Sequence, residues 1–348
     1  MINKNFTINE NKTILDAIKE LNLIEDVSRL ILFVCSNKGK VIGSLTDGDI
    51  RRSLVEYNNL NKRLGDVCYK EFTYRRDNDS FIDLNSIRKL EIKMLPLLNK
   101  NNQLIKVIDL DKVKSILPLE CMIMAGGRGK RLSPATDSVP KPMLLLGDKP
   151  IIEHNIDRLI SFGIQKIYIS LKYLGNQIED YFGDGSDKGI EIEYIWEDKP
   201  LGTAGALSLV KNFNTDNILL MNSDLLTNVN FEDMYLKLIN NNADMVIASK
   251  NYQIDVPYAV FETSDNLINA FKEKPSYTFS SNAGIYIFKK ELVAEIPKNK
   301  FFDITDLMNL LLDKGRKLMH DPIHGYWIDI GKPSDYKNAQ EFVKNIGS

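Results

Sequence analysis

The sequence predicts an α/β protein: a mostly parallel sheet flanked by helices, preceded by a small α+β part. Three observations predict it. From residue 119 onward, short apolar runs of strand character alternate with stretches of helical period. The first of these runs, Glu120 to Met124, leads straight into glycines. Ahead of it, a β-β-α pattern occurs twice. The chain has 348 residues, enough for two domains of roughly 100 to 200 residues each. The expected division is 1–118 and 119–348.

In the first part, Thr13 to Leu21 carries Ile14, Leu15, Ile18 and Leu21 on one helical stripe, with Thr13 as its N-cap. Leu30 to Cys35 reads as a strand, Ser36-Asn37-Lys38-Gly39 as a turn and Val41 to Leu45 as a second strand. A helix follows from about Asp47, capped by Thr46 or Asp47. In the weaker second copy the strands are Leu95 to Leu98 and Leu104 to Ile108. Lys100-Asn101-Asn102 forms the turn, and Lys112 to Leu117 is expected to be the helix. Two such units pair so that each buries the other's exposed face. In the second part, Ile151 to Phe162 and Phe231 to Asn240 read as helices. Lys166 to Leu171, Asn217 to Met221 and Asp244 to Ala248 read as strands. Ligands of parallel sheets bind at the carboxyl ends of the strands, which directs attention to the loops after Met124 and Met221.

Composition narrows the function classes. Hydrophobic residues make up 43% and charged residues 26%, as in ordinary globular proteins. A formal net charge of −2 argues against nucleic acid or a membrane surface as a general partner. The three cysteines, Cys35, Cys68 and Cys121, form no disulfide framework and no zinc pattern. The start, MINKNFTINENK, lacks the apolar core of a signal peptide. No run approaches the roughly 18 apolar residues of a membrane span. A soluble cytoplasmic protein is expected. His320 and His324 are spaced as helical metal ligands are, but Pro322 between them opposes a helix there.

The most informative stretch is Met124-Ala125-Gly126-Gly127-Arg128-Gly129-Lys130-Arg131-Leu132-Ser133-Pro134. Glycines after a strand free backbone N–H groups to face phosphate oxygens, and Arg128, Lys130 and Arg131 add positive charge. Gly129-Lys130 is followed by Arg131 rather than Ser or Thr, so this is not a P-loop, and no third glycine completes a dinucleotide fingerprint. Pro140-Lys141-Pro142 follows; two prolines are expected to hold the segment extended and to aim Lys141.

The glycine stretch followed by Pro-Lys-Pro resembles the signature of the sugar nucleotidylyltransferases, over roughly residues 121 to 345. The resemblance implies a Rossmann-like, GT-A-like nucleotidyltransferase fold and an NTP held by Ala125, Gly126, Gly127 and Gly129. It implies phosphate contacts from Arg131 and Lys141, and Mg²⁺ held by Asp224 and Asp329. Alone, an aspartate after a strand is more often a turn or cap residue. Glu273-Lys274-Pro275, with Asn282 and Gly284, resembles the sugar side of that site. Lys130 stands where the family has a small residue.

Glu197, followed by Leu201-Gly202-Thr203-Ala204-Gly205, resembles the base loop, where Gly202 would let the base lie against the backbone and Thr203 belongs to the same contact. Pyrimidine-using members often carry glutamine in place of Glu197. A carboxylate offers only acceptors. It suits the adjacent N–H donors of guanine and repels the imide of uracil, so GTP is favoured among the NTPs.

Gly43-Ser44-Leu45-Thr46-Asp47-Gly48-Asp49 resembles the end of a cystathionine-β-synthase-type (CBS) motif, in which Thr46 and Asp49 would contact the ribose of an adenine nucleotide. The second copy has Asp109 and Lys112 instead. A CBS pair joined to this transferase is similar to guanylyltransferases acting on glucosamine 1-phosphate in bacterial legionaminic-acid and surface-glycan synthesis. Mannose- and heptose-1-phosphate guanylyltransferases compete, as does a silent nucleotide-sugar sensor. A homo-oligomer is expected.

Overall fold

Thr13 opens the first helix of the N-terminal unit, Met1–Ile116, by closing a capping box with Asp16: the Asp16 N–H donates to Thr13 Oγ1 at 3.3 Å and the Thr13 N–H to Asp16 Oδ2 at 3.0 Å. The computed structural model describes residues 6–24, 30–76 and 84–346. The unit holds β1 (Thr7–Asn9), α1 (Ile14–Leu21), β2 (Ile31–Cys35), β3 (Val41–Thr46), α2 (Asp47–Tyr57) and α3 (Leu64–Val67). Then come β4 (Arg75–Arg76), α4 (Leu84–Arg88), β5 (Met94–Leu98) and β6 (Leu104–Asp109). The internal repeat is closer in space than in sequence. In each copy a parallel pair (β1 with β2, β4 with β5) is followed by an antiparallel one (β2 with β3, β5 with β6). Both antiparallel ladders slip at the matching place, Val34/Cys35 and Leu97/Leu98. Phe6, Phe33 and Val41 share one apolar cluster with Met94, Leu98 and Val107, so the copies bury surface against each other.

Two sequence expectations are settled here. Thr46, not Asp47, caps α2. Lys112 to Leu117 is not a helix. The Arg88 guanidinium takes the carbonyls of Leu110, Val113 and Lys114, and the Leu117 N–H donates instead to Phe162 O at 3.0 Å. The groups a helix would have paired are engaged elsewhere.

The C-terminal unit, Leu117–Ser348, begins with β7 (Leu119–Met124), β8 (Leu145–Leu146), β9 (Lys149–Pro150), α5 (Ile151–Ser161), β10 (Lys166–Leu171), α6 (Asn176–Phe182) and β11 (Glu191–Trp196). It continues with α7 (Gly202–Gly205), β12 (Asn217–Asn222), β13 (Leu225–Thr227), α8 (Phe231–Asn240), β14 (Met245–Asp255), β15 (Val260–Ser264), β16 (Leu267–Lys272) and β17 (Ser276–Lys289). It closes with α9 (Ile304–Asp313), β18 (Leu318–Pro322), β19 (Trp327–Asp329) and α10 (Pro333–Ile346). A seven-stranded sheet runs β11-β10-β7-β12-β17-β14-β18. It is parallel except where β17 meets β12 and β14, the mostly parallel α/β architecture expected. Its strands are apolar on both faces because helices cover both; Met122, Ile218, Leu220 and Phe288 are 0–1% exposed. No helix among the described residues is long and apolar enough to cross a membrane.

Candidate active site

β7, β10 and β12 run parallel, so the loops after Met124, Leu171 and Asn222 emerge on one side. They border a cleft of about 800 Å³. The Ala125 N–H donates to Ser170 O at 3.0 Å, extending the β7–β10 ladder to the start of the glycine loop. Gly126, Gly127 and Gly129 line the cleft beside Arg128, Lys130 and Arg131. The Thr136 hydroxyl clips the loop from behind through Gly129 O, at 2.9 Å. The Arg128 guanidinium lies over the Tyr173 ring, 5.3 Å from its centre.

Lys141 reaches this cleft by a different route from that expected. Lys141–Met143 is a 3-10 turn, closed by the Met143 N–H to Pro140 O at 2.8 Å. The segment is therefore not extended. The proline φ of about −65° fits a 3-10 turn as well as extended chain. The turn buries Lys141, whose ammonium pairs with Asp224 Oδ2.

Asp224 follows β12, and the turn is held by Asn155, whose amide donates to Ser223 O at 3.3 Å. β13 then pairs antiparallel with β19, Leu225 opposite Asp329, and the Ile330 N–H donates to Asp224 O at 3.1 Å. That ladder brings together two aspartates more than a hundred positions apart in the chain. Asp329 stands beside the cleft wall rather than on it. Lost solvation and the charge of Asp224 push its carboxyl above the usual carboxylate range, while Lys141 and Arg131 oppose the rise. Asp224 Oδ1 is buried without a hydrogen-bond partner. An orphaned hard oxygen beside a second carboxylate fits Mg²⁺, which is held by one or two carboxylates together with substrate phosphates and water. Among the described residues no group of three His, Cys, Asp or Glu could hold a metal.

Glu197 is buried on the opposite wall. Ser170 Oγ–H donates to one carboxylate oxygen, and the Leu201 N–H to the other at 2.9 Å. Gly202 and Thr203 line the cleft, and packing also requires a glycine at 202. At φ +76°, a Cβ there would lie 2.7 Å from Asp303 Oδ1 and 2.8 Å from Phe302 O. The glycine makes room for the protein's own chain, and Asp303 Oδ1 accepts the Thr203 N–H at 3.0 Å.

The sugar-side residues do not gather in the cleft. Glu273 and Lys274 are exposed on the bend between β16 and β17 and do not line it. Asn282 and Gly284 lie on β17 behind Asn222, which does. A Cβ on Gly284 would come 2.6 Å from Asn222 Nδ2. His320 sits on a strand, its Nδ1 2.9 Å from Ser249 Oγ. In the N-terminal unit, Thr46 borders a second cavity, of about 510 Å³. Asp49 does not; its carboxylate holds the Thr46 N–H and hydroxyl at 2.8 and 2.7 Å and Arg52 at 2.5 Å.

Sequence reasoning missed Lys172, Tyr173, Asn222, Phe301 and Asp303, all on the cleft. Lys172 and Tyr173 follow the end of β10 and were within reach of the strand-end rule. Asp303 could have been found from the Asp303-x-x-Asp306 capping box ahead of an apolar helix;.

The family described as nucleotidyl transferase matches residues 120–346, and that described as CBS domain matches residues 1–56. Over 241 residues the chain is 32% identical to a UTP–glucose-1-phosphate uridylyltransferase of Synechocystis sp., covering 64% of this chain and 62% of that protein. It is 32% identical to a D-glycero-alpha-D-manno-heptose 1-phosphate guanylyltransferase of Aneurinibacillus thermoaerophilus, covering 65% of this chain and 99% of that one. HddC from Yersinia pseudotuberculosis, solved in complex with GMP-PN, aligns with a TM-score of 0.51 at 25% identity, over 64% of this chain and 99% of HddC.

Proposed function

The chain belongs to the nucleotidyl transferase family and carries a CBS domain ahead of the transferase, and from that premise we propose that it is a sugar-1-phosphate nucleotidylyltransferase using GTP and glucosamine 1-phosphate. The observation that carries this reading is the convergence of the glycine loop, Arg131, Lys141, Asp224 and Asp329 around one cleft. A phosphate oxygen of the sugar 1-phosphate attacks the α-phosphorus of the NTP, the bond to the β-phosphate oxygen breaks, and pyrophosphate leaves. The nucleophile is already ionised, so catalysis is positioning plus electrostatics. Asp224 and Asp329 would hold Mg²⁺, which would supply positive charge to offset that on the α-phosphate and the leaving group. Arg131 faces the departing pyrophosphate. Lys141 exchanges its partner Asp224 for substrate phosphate. The family resemblance assigns the sugar side to Glu273, Lys274, Asn282 and Gly284, none of which lines the cleft.

Glu197 favours guanine. Its two oxygens already accept one in-chain donor each, and a carboxylate has about four acceptor sites, which leaves capacity for the paired N–H groups of guanine. Glucosamine 1-phosphate rests on the combination with a CBS domain. Mannose and heptose 1-phosphates are the competing sugars, the latter named by a relative matched over 99% of its length. We also propose that residues 1–118 are regulatory and 119–348 catalytic, with an adenine nucleotide as the regulator. Calorimetry with AMP, ATP and S-adenosylmethionine tests the regulator. Pyrophosphate release, measured for four NTPs crossed with glucosamine, N-acetylglucosamine, mannose, glucose and heptose 1-phosphates, tests the activity. Turnover is expected to be fastest with GTP and glucosamine 1-phosphate; silence across the grid would favour a nucleotide-sugar sensor.

A further inference from the structure

Glu197 satisfies only part of a guanine edge. A carboxylate accepts from the N1–H and the exocyclic amine, but guanine also presents a carbonyl, O6, beside them, and that oxygen calls for a donor. Lys172 stands close to Glu197 on the same cleft. It follows β10, which pairs in parallel with β11, Leu171 beside Trp196. The Glu197 N–H donates to Leu171 O at 2.9 Å and carries that ladder one step further. The two side chains therefore leave neighbouring strand ends. A Cβ on Gly126 would lie 3.1 Å from Glu197 Oε1 and 3.4 Å from Lys172 Cβ, so the glycine loop packs against both.

Among the described residues the Lys172 ammonium forms no ion pair. It donates instead to two successive carbonyls, Glu197 O at 3.2 Å and Asp198 O at 2.8 Å. Those bonds fix the segment that leaves β11 and hold the ammonium next to the residue that carries the carboxylate. An ammonium has three protons to donate, so one is left over on a side chain that lines the cleft. Lys141, by contrast, is engaged with Asp224 at the phosphate end.

We propose that Lys172 determines specificity by donating its remaining proton to O6 of the guanine whose N1–H and amine Glu197 accepts. It does so only if the nucleotide is GTP, the reading already given to Glu197. Lysine and arginine are the usual partners of guanine O6. In the same register, adenine would turn its N1 acceptor to the carboxylate and its amine to the ammonium, so both contacts become like against like. Uracil would satisfy the lysine but turn a carbonyl to the carboxylate. A carboxylate and an ammonium side by side thus select guanine over both, which neither residue does alone. A lysine that only clamped the segment after β11 would affect every nucleotide alike.

Pyrophosphate release by the full chain with GTP, thio-GTP, ITP, ATP and UTP is the test, and binding calorimetry with the same nucleotides reads the same ratios without turnover. Thio-GTP carries sulfur, a poor acceptor, in place of O6 and keeps both donors; ITP keeps O6 and loses the amine. The wild type should prefer GTP to thio-GTP by at least ~10-fold in kcat/KM, a comparison that needs no variant. Lys172→Met keeps the apolar stem. It should raise KM for GTP at least ~10-fold with kcat little changed, because a base contact is made equally in the ground and transition states. It should bring the preference for GTP over thio-GTP to about 1 while the preference over ITP, which belongs to Glu197, persists. Lys172→Arg keeps the donors and should retain most of the O6 preference. A wild type that takes GTP and thio-GTP equally, or a Lys172→Met variant that weakens all the nucleotides to the same degree, overturns the proposal and leaves the guanine reading of Glu197 intact. A wild type that favours UTP or ATP over GTP overturns both.

Discussion

Asp224 joins the two halves of the candidate chemistry, because one carboxylate oxygen holds Lys141 and the other is buried without a partner. Replacing it with Ala would strand the Lys141 ammonium, and an unpaired buried charge costs about 3–5 kcal/mol. Asp224→Asn is the cleaner test. It should lower kcat/KM by at least ~100-fold with little change in fold, measured by pyrophosphate release beside thermal melting; near-normal turnover would falsify the assignment. Glu197→Gln separates two roles. An amide has one oxygen, so either Ser170 or Leu201 loses its acceptor, for roughly 1 kcal/mol of stability. If Glu197 also reads the base, kcat/KM should fall at least ~10-fold for GTP and less for UTP. An equal fall for all NTPs would make it only a support for the loop. At Gly284 a methyl group meets both a positive φ and the Asn222 amide, so Gly284→Ala should destabilise by roughly 1–3 kcal/mol, seen in urea unfolding. The phosphate loop was legible at this scale because glycine and arginine spacing is local. The packing of Gly202 against Phe302 and Asp303 was not, because its cause lies about a hundred residues away.

At the scale of elements, Asp244 makes a buried clasp at the edge of the sheet, outside the cleft. Asp244 precedes β14, accepts the Lys317 N–H at 2.9 Å, and pairs with Lys289 at 3.1 Å and Arg316 at 3.5 Å. Burial works to raise its pKa, but these partners outweigh it and hold the carboxyl below the ordinary value. A depressed folded pKa means stability that is present above the unfolded value, about pH 4, and lost as pH falls through the folded one. Asp244→Asn should therefore cost roughly 1–3 kcal/mol at pH 7, and the gap to wild type should begin to narrow below about pH 4 and close as pH falls through the lower folded pKa;. A gap that persists unchanged at pH 3 would assign the loss to packing. The strands and helices of the parallel core were legible because their period and caps are local properties. The failed helix at Lys112 to Leu117 was not, since Arg88, far back in the chain, holds its carbonyls. The same limit hid the length of β14 and β17: their outer halves are exposed on an arm and lack the apolar run that marked Asp244 to Ala248.

For the whole molecule, each apolar cluster draws on a single unit. Ile14, Leu32 and Leu45 belong to one in the first, while Met122, Leu220 and Phe288 belong to one in the second. Separate cores melt separately unless an interface couples them, so calorimetry of the full chain should show two transitions. Ligands then assign them. GTP with Mg²⁺ at about 100 times its Kd should stabilise the unit that binds it by ~2.7 kcal/mol, or roughly 5–10 °C for a unit of this size. The other transition should stay in place. Asp224→Asn should remove the Mg²⁺-dependent part of the shift and leave the transition temperatures without ligand nearly unchanged. An adenine nucleotide bordering Thr46 should move the other transition alone. One transition that GTP carries upward as a whole would mean that the two units unfold together, and a regulator bound to the first would then act on the second through their shared stability.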